Sequence, residues 1–477
     1  MWKVFQSPVV MVVLLAMQPA GLSSPKPDLV LRSQFTGRDH QTYRELPFDV
    51  PAGVIRVTVN FSYTGREERT VLDVGLWDGE RFRGWSGGNK SFFTVSATDA
   101  TPSYLAGPVR PGRWHLLVGV PNIRRDSHAA FTAEVFFARA GDVPEISTFS
   151  AAPLRTEPGW YRGDLHMHTA HSDGSCLSQS GQRVPCPLFR TVEAAAARHL
   201  DFIAITDHNT TSHFAELREL QPYFDRLLLI PGREITTFEG HANVFGPVEF
   251  LDFRLTGKSL PNAGALIDEV NKVHGLISLN HPGSASGESC MGCGWTAPDT
   301  DFARIDAVEV VNGGKAGGIP FWEAQLNRGV RWTAIGGSDN HNADLAASDP
   351  GSVGWPTTVV YAEDLSERSI LNGIRSGKVF IDTEGTRDRL LEYSRLPAPA
   401  GGPITISIHS VAVRNGTLEV IQDGKPVAAF ANSRIESDDD TRQFSLEGDG
   451  KRHWLRIAVH AADGHLLLMG NPVYINW

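Results

Sequence analysis

Five apolar runs in the middle of the chain each end in a histidine or carboxylate, just where the run gives way to a polar turn, and this repetition is the strongest constraint on the fold. The first passes through Gly163, Asp164 and Leu165 into His166-Met167-His168 and on to Asp173. The others run from Asp201 to His208, Leu227 to Glu234, Gly275 to His281, and Arg331 through Asp339 to His341. Their hydrophobicity is continuous rather than alternating, the pattern of strands buried on both faces of a parallel sheet. Helical patterns at Thr191–Leu200 and Ala265–His274 lie between them, which makes the alternation βαβ. In such sheets the residues at the carboxyl ends of the strands share one face, so nitrogen and oxygen ligands from five strands are expected to meet there. Residues two apart on an extended chain point the same way, so His166 and His168 present two imidazoles to one metal.

Imidazole and carboxylate donors without cysteine suit Zn²⁺, Mn²⁺ or Fe²⁺, and the number of histidines excludes an all-oxygen Ca²⁺ site. Glu234, with two oxygens, is the natural bridge between two such ions. Bridged metals lower the pKa of a shared water, so the expected nucleophile is hydroxide and not a side chain. The rival, a serine triad, has little support. Gly283-Ser284-Ala285-Ser286-Gly287 meets the Gly-x-Ser-x-Gly pattern only with offset spacing and lacks a strand-to-helix context. No Walker-type phosphate loop occurs either.

Ten of the seventeen histidines fall between residues 160 and 390; five of those ten end or follow the apolar runs, and a sixth, His241, lies in Gly240-His241-Ala242-Asn243. Of the rest, His199 and His274 sit at expected helix ends, where imidazolium complements the dipole. His171 and His213 flank the run ends and are candidate substrate contacts. Lys315, in the glycine-rich loop Asn312–Ile319, is the candidate cation for an anionic substrate, whereas strand alternation turns Arg233 away from its neighbour Glu234. So few basic groups leave room for a neutral ester or carbamate.

Six motifs in order carry a family resemblance: His166 to Gly174, Ile205 to Asn209, Gly232 to Thr236, Gly240 to Asn243, Asn280 to Pro282, and Gly337 to His341. Over roughly residues 160 to 390 the chain resembles the polymerase and histidinol phosphatase (PHP) domain, and within it the secreted carbaryl-hydrolase-like branch. The resemblance implies an α/β fold, a distorted (β/α)7 barrel carrying a multinuclear metallohydrolase. It implies that His166, His168, Glu234 and Asp339 hold one metal, that Glu234, His241 and His281 hold a second, and that Asp173, His208, Asp339 and His341 hold a third. Asp339 is expected to orient the nucleophile, with Glu234 as bridge and His208 or His341 passing a proton to the leaving group. A small-molecule phosphoester is the implied substrate, with a carbamate or carboxylic ester as the alternative. A non-catalytic carbohydrate- or surface-binding protein is the reading from another class, and a complete ligand set argues against it.

The net charge of −10 argues against non-specific tracking of DNA, which requires a basic footprint. Lys3, the apolar run Pro8–Met17 and the small residues Ala20, Gly21, Ser23 and Ser24 form a signal-peptide layout over 1–24, the alternative being an uncleaved anchor. The mature chain, without a further run long enough to span a bilayer, is expected in the periplasm or outside the cell. In that setting Cys176, Cys186, Cys290 and Cys293 read as one or two disulfides, with three connectivities open and a four-cysteine zinc site as the competitor.

Flanking the central region, residues 25–150 hold short alternating runs separated by glycine and proline turns, the pattern of a β-sandwich or jelly roll. The central unit is expected over 151–394 and a small β-sandwich over 395–477. Pro144–Gly159 and Leu396–Gly402 read as linkers.

Overall fold

Alternating apolar residues make the N-terminal strands, and their buried faces explain how they pair. In the strand Val54–Tyr63, Val57, Val59 and Phe61 face inward, and in Gly112–Asn122 Trp114, Leu116, Val118 and Val120 do the same. Two four-stranded antiparallel sheets stack on these faces over one apolar core. The computed structural model describes residues 26–142, 149–150, 152–255, 257–288, 290–386, 388–397, 403–427 and 433–477. The expected signal segment 1–24 lies outside the described residues, as do parts of both expected linkers. Among the described residues no helix is long and apolar enough to cross a membrane.

The central region is a mixed, strand-rich α/β arrangement, not the strict alternation expected of a (β/α)7 barrel. Along one path of a 15-stranded sheet lie Thr333–Gly337, Ala307–Asn312, Leu276–Leu279, His241–Phe245, Leu228–Thr236, Phe202–Ile205, Gly159–Asp164, Thr357–Ala362 and Val379–Asp382. Pairing is parallel within two groups. The strand His241–Phe245 runs antiparallel to both its neighbours. It is joined to Leu228–Thr236 by a turn too short for a crossover helix, which forces the reversal. The path curls until its members approach one another again. Met167 bridges Asn340 in parallel, and the His166 carbonyl accepts from the Asp339 N–H at 2.8 Å.

Helices Leu188–Ala197 and Ala263–Lys272 start two to three residues before the sequence patterns suggest. Both end on a histidine in the left-handed region, His199 at φ 56° and His274 at φ 58°. The amide two positions after the cap returns to the helix in each: Leu200 N–H to Ala195, and Gly275 N–H to Val270. This 6→1 bond satisfies an orphan carbonyl and stops the helix. The two histidines therefore have local, structural work.

After Val379–Asp382 the sheet continues into the C-terminal region through Leu466–Gly470, His453–His460 and Thr417–Gln422. A three-stranded sheet, Leu390–Arg395, Ile404–Val411 and Asp439–Leu446, packs over it around Ile406, Ile408, Leu455 and Ile457. The expected small β-module thus shares a hydrogen-bonded sheet with the central region.

The N-terminal sandwich is tied to the centre by a buried ionic triad. Asp99 receives Arg56 from its own sandwich at 2.5 Å and Arg218, from the helix Phe214–Leu220, at 2.6 Å. Burial acts to raise the Asp99 pKa, but Arg218 and Arg56 outweigh it and bring the group down to about 2. Arg218 loses water in the same contact and is pulled below its usual value, yet a guanidinium starts far enough above neutrality to stay charged. Because the folded pKa lies below the unfolded one, this stabilisation is present above about pH 4 and is lost as pH falls towards 2. The shift corresponds to about 2 kcal/mol. Asp99→Asn should flatten the acid limb of the unfolding midpoint between those pH values, as followed by urea denaturation, while an unaltered acid limb would remove Asp99 from the account.

Candidate metal centre

Each ligand-bearing segment is fixed by a buried polar group before it reaches the centre. Asp164 accepts from the backbone N–H of His166, Ser338 and Gly354, which ties the first ligand run to the last. Asp207 accepts from Thr169 N–H and Oγ1, each at 2.7 Å, and from Ser172, and so shapes the turn leading to Asp173. The Asn280 side chain accepts from Asn243 N–H and donates to Glu234 Oε1 at 2.9 Å. Backbone strain collects at the same places, since His281 (φ 29°) and Asp339 (φ 52°) are both left-handed without being glycine.

Nine side chains converge. His166 and His168 follow Gly159–Asp164, His208 follows Phe202–Ile205, His281 follows Leu276–Leu279, and Asp339 and His341 follow Thr333–Gly337. Glu234 lies within Leu228–Thr236, and His241 opens the antiparallel strand, so its reversed direction brings its first residue to the same face. Glu234 is in the middle. Its Oε2 is 3.6 Å from His166 Nε2 and 3.7 Å from His168 Nε2, while its Oε1 is 3.2 Å from His241 Nδ1 and 3.6 Å from His281 Nε2. Asp339 Oδ1 lies 3.3 Å from His166 Nε2 and 3.2 Å from His168 Nε2. Asp173 Oδ1 reaches His341 Nε2 at 3.3 Å and His208 Nε2 at 3.6 Å.

Two donors each about 2.1 Å from one ion, at angles between square and tetrahedral, stand about 3.0–3.4 Å apart. The observed separations match this spacing or exceed it by a few tenths of an ångström. His166 Nε2, Glu234 Oε2 and His281 Nδ1 are buried with no hydrogen-bond partner among the described residues. Glu234 Oε2 does lie 2.7 Å from His208 Nδ1, but that nitrogen also meets Thr236 Oγ1 at 2.6 Å. Buried polar atoms left in this way are costly unless a cation takes them up. The side chains present therefore fit divalent metal. Their compact groups are His166, His168 and Glu234; His166, His281 and Asp339; His168, Asp173, His208 and His341; and His241, His281 and Cys293.

The electrostatics agree. Burial acts to raise Glu234 and Asp339, yet the imidazoles around them, His166 foremost, hold both carboxylates well below their usual range. Burial also depresses the imidazoles, but His166 is raised well above its ordinary value by Asp339, Glu309 and Glu234, and His208 to about 10 by Asp173 and Glu234. For His168 burial prevails and the pKa falls. The centre is a pool of ionised oxygens that positive charge must neutralise, and protons and metal ions compete for it.

Several sequence expectations find a different environment. His213 is wholly buried, with Nε2 donating to the Gly232 carbonyl at 2.8 Å, and burial lowers its pKa to about 4. It offers no face to a substrate, because the helix it precedes is packed against the sheet. His171 turns to Ser212 at 2.7 Å and Glu216 at 3.1 Å. Lys315 is exposed on a tight turn with Asn312 and lines two cavities beside the centre, of about 280 and 390 Å³. Arg233 points into the core, where it donates to the Pro247 carbonyl and lies over the Phe214 ring. Ser286 Oγ is taken by the Gly292 N–H. The cysteines pair as Cys176–Cys186 and Cys290–Cys293.

Glu309 and Asn312 escaped the sequence reading. Glu309 Oε1 accepts from His166 Nδ1 at 3.1 Å, and its Oε2 accepts from His281 N–H at 3.0 Å and from Asn312 Nδ2 at 3.1 Å. Asn312 also donates to Asp339 Oδ2 at 3.2 Å. A carboxylate in the middle of the apolar strand Ala307–Asn312 was the available signal. Its bond to His166 Nδ1 leaves Nε2 as the metal-facing atom, the usual role of a carboxylate behind a ligating imidazole.

No family model matches the chain, and no curated protein does. Among solved structures, the chain is similar to a two-domain protein from Bacteroides vulgatus containing a predicted PHP-like metal-dependent phosphoesterase. The identity is 19%, the TM-score 0.38, and the match covers 67% of this chain and 95% of that one. A second likeness is to a protein from Bifidobacterium adolescentis assigned as a metal-dependent phosphoesterase, at 16% identity and TM-score 0.30, covering 44% of this chain and 95% of that one. Likenesses this distant carry no argument about chemistry, which rests on the side chains themselves.

Glu309→Gln should leave the protein folded while weakening metal affinity about 10- to 100-fold, as measured by competition with a chelating dye. Glu234→Ala should lower the bound metal per protein in elemental analysis, and an unchanged metal-to-protein ratio would exclude it as a ligand.

Proposed function

We propose that this chain is an exported multinuclear metal-dependent hydrolase of PHP type, built on a distorted barrel and acting on phosphoesters. One observation carries the reading: the two oxygens of Glu234 face two different donor sets, His166 with His168 on one side and His241 with His281 on the other. A structural metal site needs one closed set of donors and no shared carboxylate. The two disulfides, and the lack of a long apolar helix among the described residues, are compatible with export.

Divalent ions held by these residues would supply a water acidic enough to attack at neutral pH and positive charge to offset that of the transition state. The chain's own groups do the rest. Asp339, held by Asn312 through Oδ2, directs Oδ1 into the centre, where it orients the attacking water. His166 is kept in one tautomer by Glu309. His341 is held through Nδ1 by the Asp339 carbonyl at 2.8 Å and stands at the lip, its side chain 38% exposed. It is the group placed to give a proton to the leaving oxygen as the bond to phosphorus breaks, with His208, deeper beside Asp173, as the alternative donor. Lys315, which shares the adjacent cavities with Asp339, His341 and His281, is the cation available to a phosphate oxygen.

A carbamate or carboxylic ester is the second reading, favoured by one feature. Lys315 is the sole cationic side chain other than histidine lining the two adjacent cavities among the described residues, and phosphoryl sites usually carry more positive charge. Initial rates of the Mn²⁺- or Zn²⁺-loaded full chain on p-nitrophenyl phosphate, bis-p-nitrophenyl phosphate and a naphthyl carbamate separate the two. Faster turnover of a phosphorus substrate is expected, falling by about 10²-fold or more in Asp339→Ala. Turnover of the carbamate alone would move the assignment to the second reading, and no metal-dependent turnover of any of the three would leave a binding protein.

A further inference from the structure

Cys293 stands out among the groups of ligand atoms. It is 3% exposed, and its sulfur lies within 4.8 Å of a ring nitrogen of both His241 and His281. The loop that carries it is pressed onto one of those imidazoles. The Met291 carbonyl meets His241 Nε2 at 3.1 Å. Gly292 is left-handed at φ 80°, and a Cβ there would stand 2.2 Å from the Thr237 carbonyl oxygen and 3.2 Å from His241 Nε2. Glycine is required for this approach. On the other side His281 Nδ1 is buried without a hydrogen-bond partner among the described residues. Cys290, the partner in the disulfide, is less buried than Cys293 and adjoins Met291, which is 74% exposed. Cys293 thus lies beside the two imidazoles, and Cys290 is the less buried member of the pair.

We propose that the Cys290–Cys293 pair is a redox-controlled metal ligand: on reduction, Cys293 joins His241 and His281 around a thiophilic divalent ion and closes that side of the centre. The proposal rests on the reading of His241 and His281 as metal ligands. The reductant is a dithiol. One of its thiolates attacks the Cys290 sulfur and displaces Cys293 as thiolate, and its second sulfur then releases Cys290, so the dithiol leaves as a disulfide and the protein gains two electrons and two protons. Coordination by Cys293 gives up one of those protons to solvent. Thiolate and imidazole together favour Zn²⁺ over harder ions. A site that gains Cys293 as a further protein donor loses a position for a reacting water. Reduction would thus convert an open site to a closed one, and reoxidation would reopen it.

The test uses the full chain exchanged with Co²⁺ and reads the near-ultraviolet sulfur-to-cobalt charge-transfer absorption, with and without a phosphine reductant. The band should appear on reduction of the unaltered protein, be present without reductant in Cys290→Ser, and be missing in reduced Cys293→Ser. The absence of a band in both the reduced protein and Cys290→Ser would overturn the proposal, as would a band that survives in Cys293→Ser. The first two samples decide the question even if Cys293→Ser does not fold. Absorption reports ligation whether or not any substrate is hydrolysed, so its failure is separate from failure of the hydrolase reading. If the enzyme is active when oxidised, reduction should lower turnover by about tenfold or more.

Discussion

A carboxylate sealed among histidines is the interaction on which the rest of this structure depends. Glu234 is 1% exposed and sits within 4 Å of ring nitrogens of His166, His168, His208, His241 and His281. An ionised carboxylate in such a place is tolerable only with positive charge close by. The chain answers with five imidazoles from four separate segments, and buried, unpartnered nitrogens among them call for a cation in turn. This mutual need explains why the sheet must bring so many strand ends to one face.

The supporting framework is polar as well as apolar. Asp164, Asp207 and Glu309 are each at or below 2% exposure, and each accepts hydrogen bonds from the segments that carry ligands. Hydrophobic packing alone would set the strands side by side but leave their ends free to shift. Fixed carboxylates acting on backbone N–H groups and on His166 limit that freedom, and they also absorb the left-handed strain at His281 and Asp339. The flanking β-regions join this framework in different ways: the C-terminal region by continuing the sheet, and the N-terminal sandwich through the Asp99 triad.

Much of the centre was legible because ligands at strand ends leave a local mark, an apolar run followed at once by His, Asp or Glu. His166, His168, His208, Glu234, His281, Asp339 and His341 all announce themselves in this way. Other parts had no such mark. His241 needed the knowledge that its strand runs backwards, a consequence of a short turn. His213 looks like a site histidine in sequence, yet its helix buries it against Gly232. The strand Leu466–Gly470 is a continuous apolar run near the end of the chain, and nothing local says that it pairs with Val379–Asp382.

The sequence by itself determined the donor types, their order and their placement at the ends of buried runs, because strand periodicity and ligand chemistry are properties of neighbours in the chain. Tertiary structure alone decided which donors meet, that Glu309 stands behind His166 across 143 positions, and that Cys293 reaches the imidazoles of His241 and His281. Those contacts depend on how the mixed sheet curls and on where the reversed strand His241–Phe245 lies. Such geometry is set by pairing between distant segments, and no window of sequence contains it.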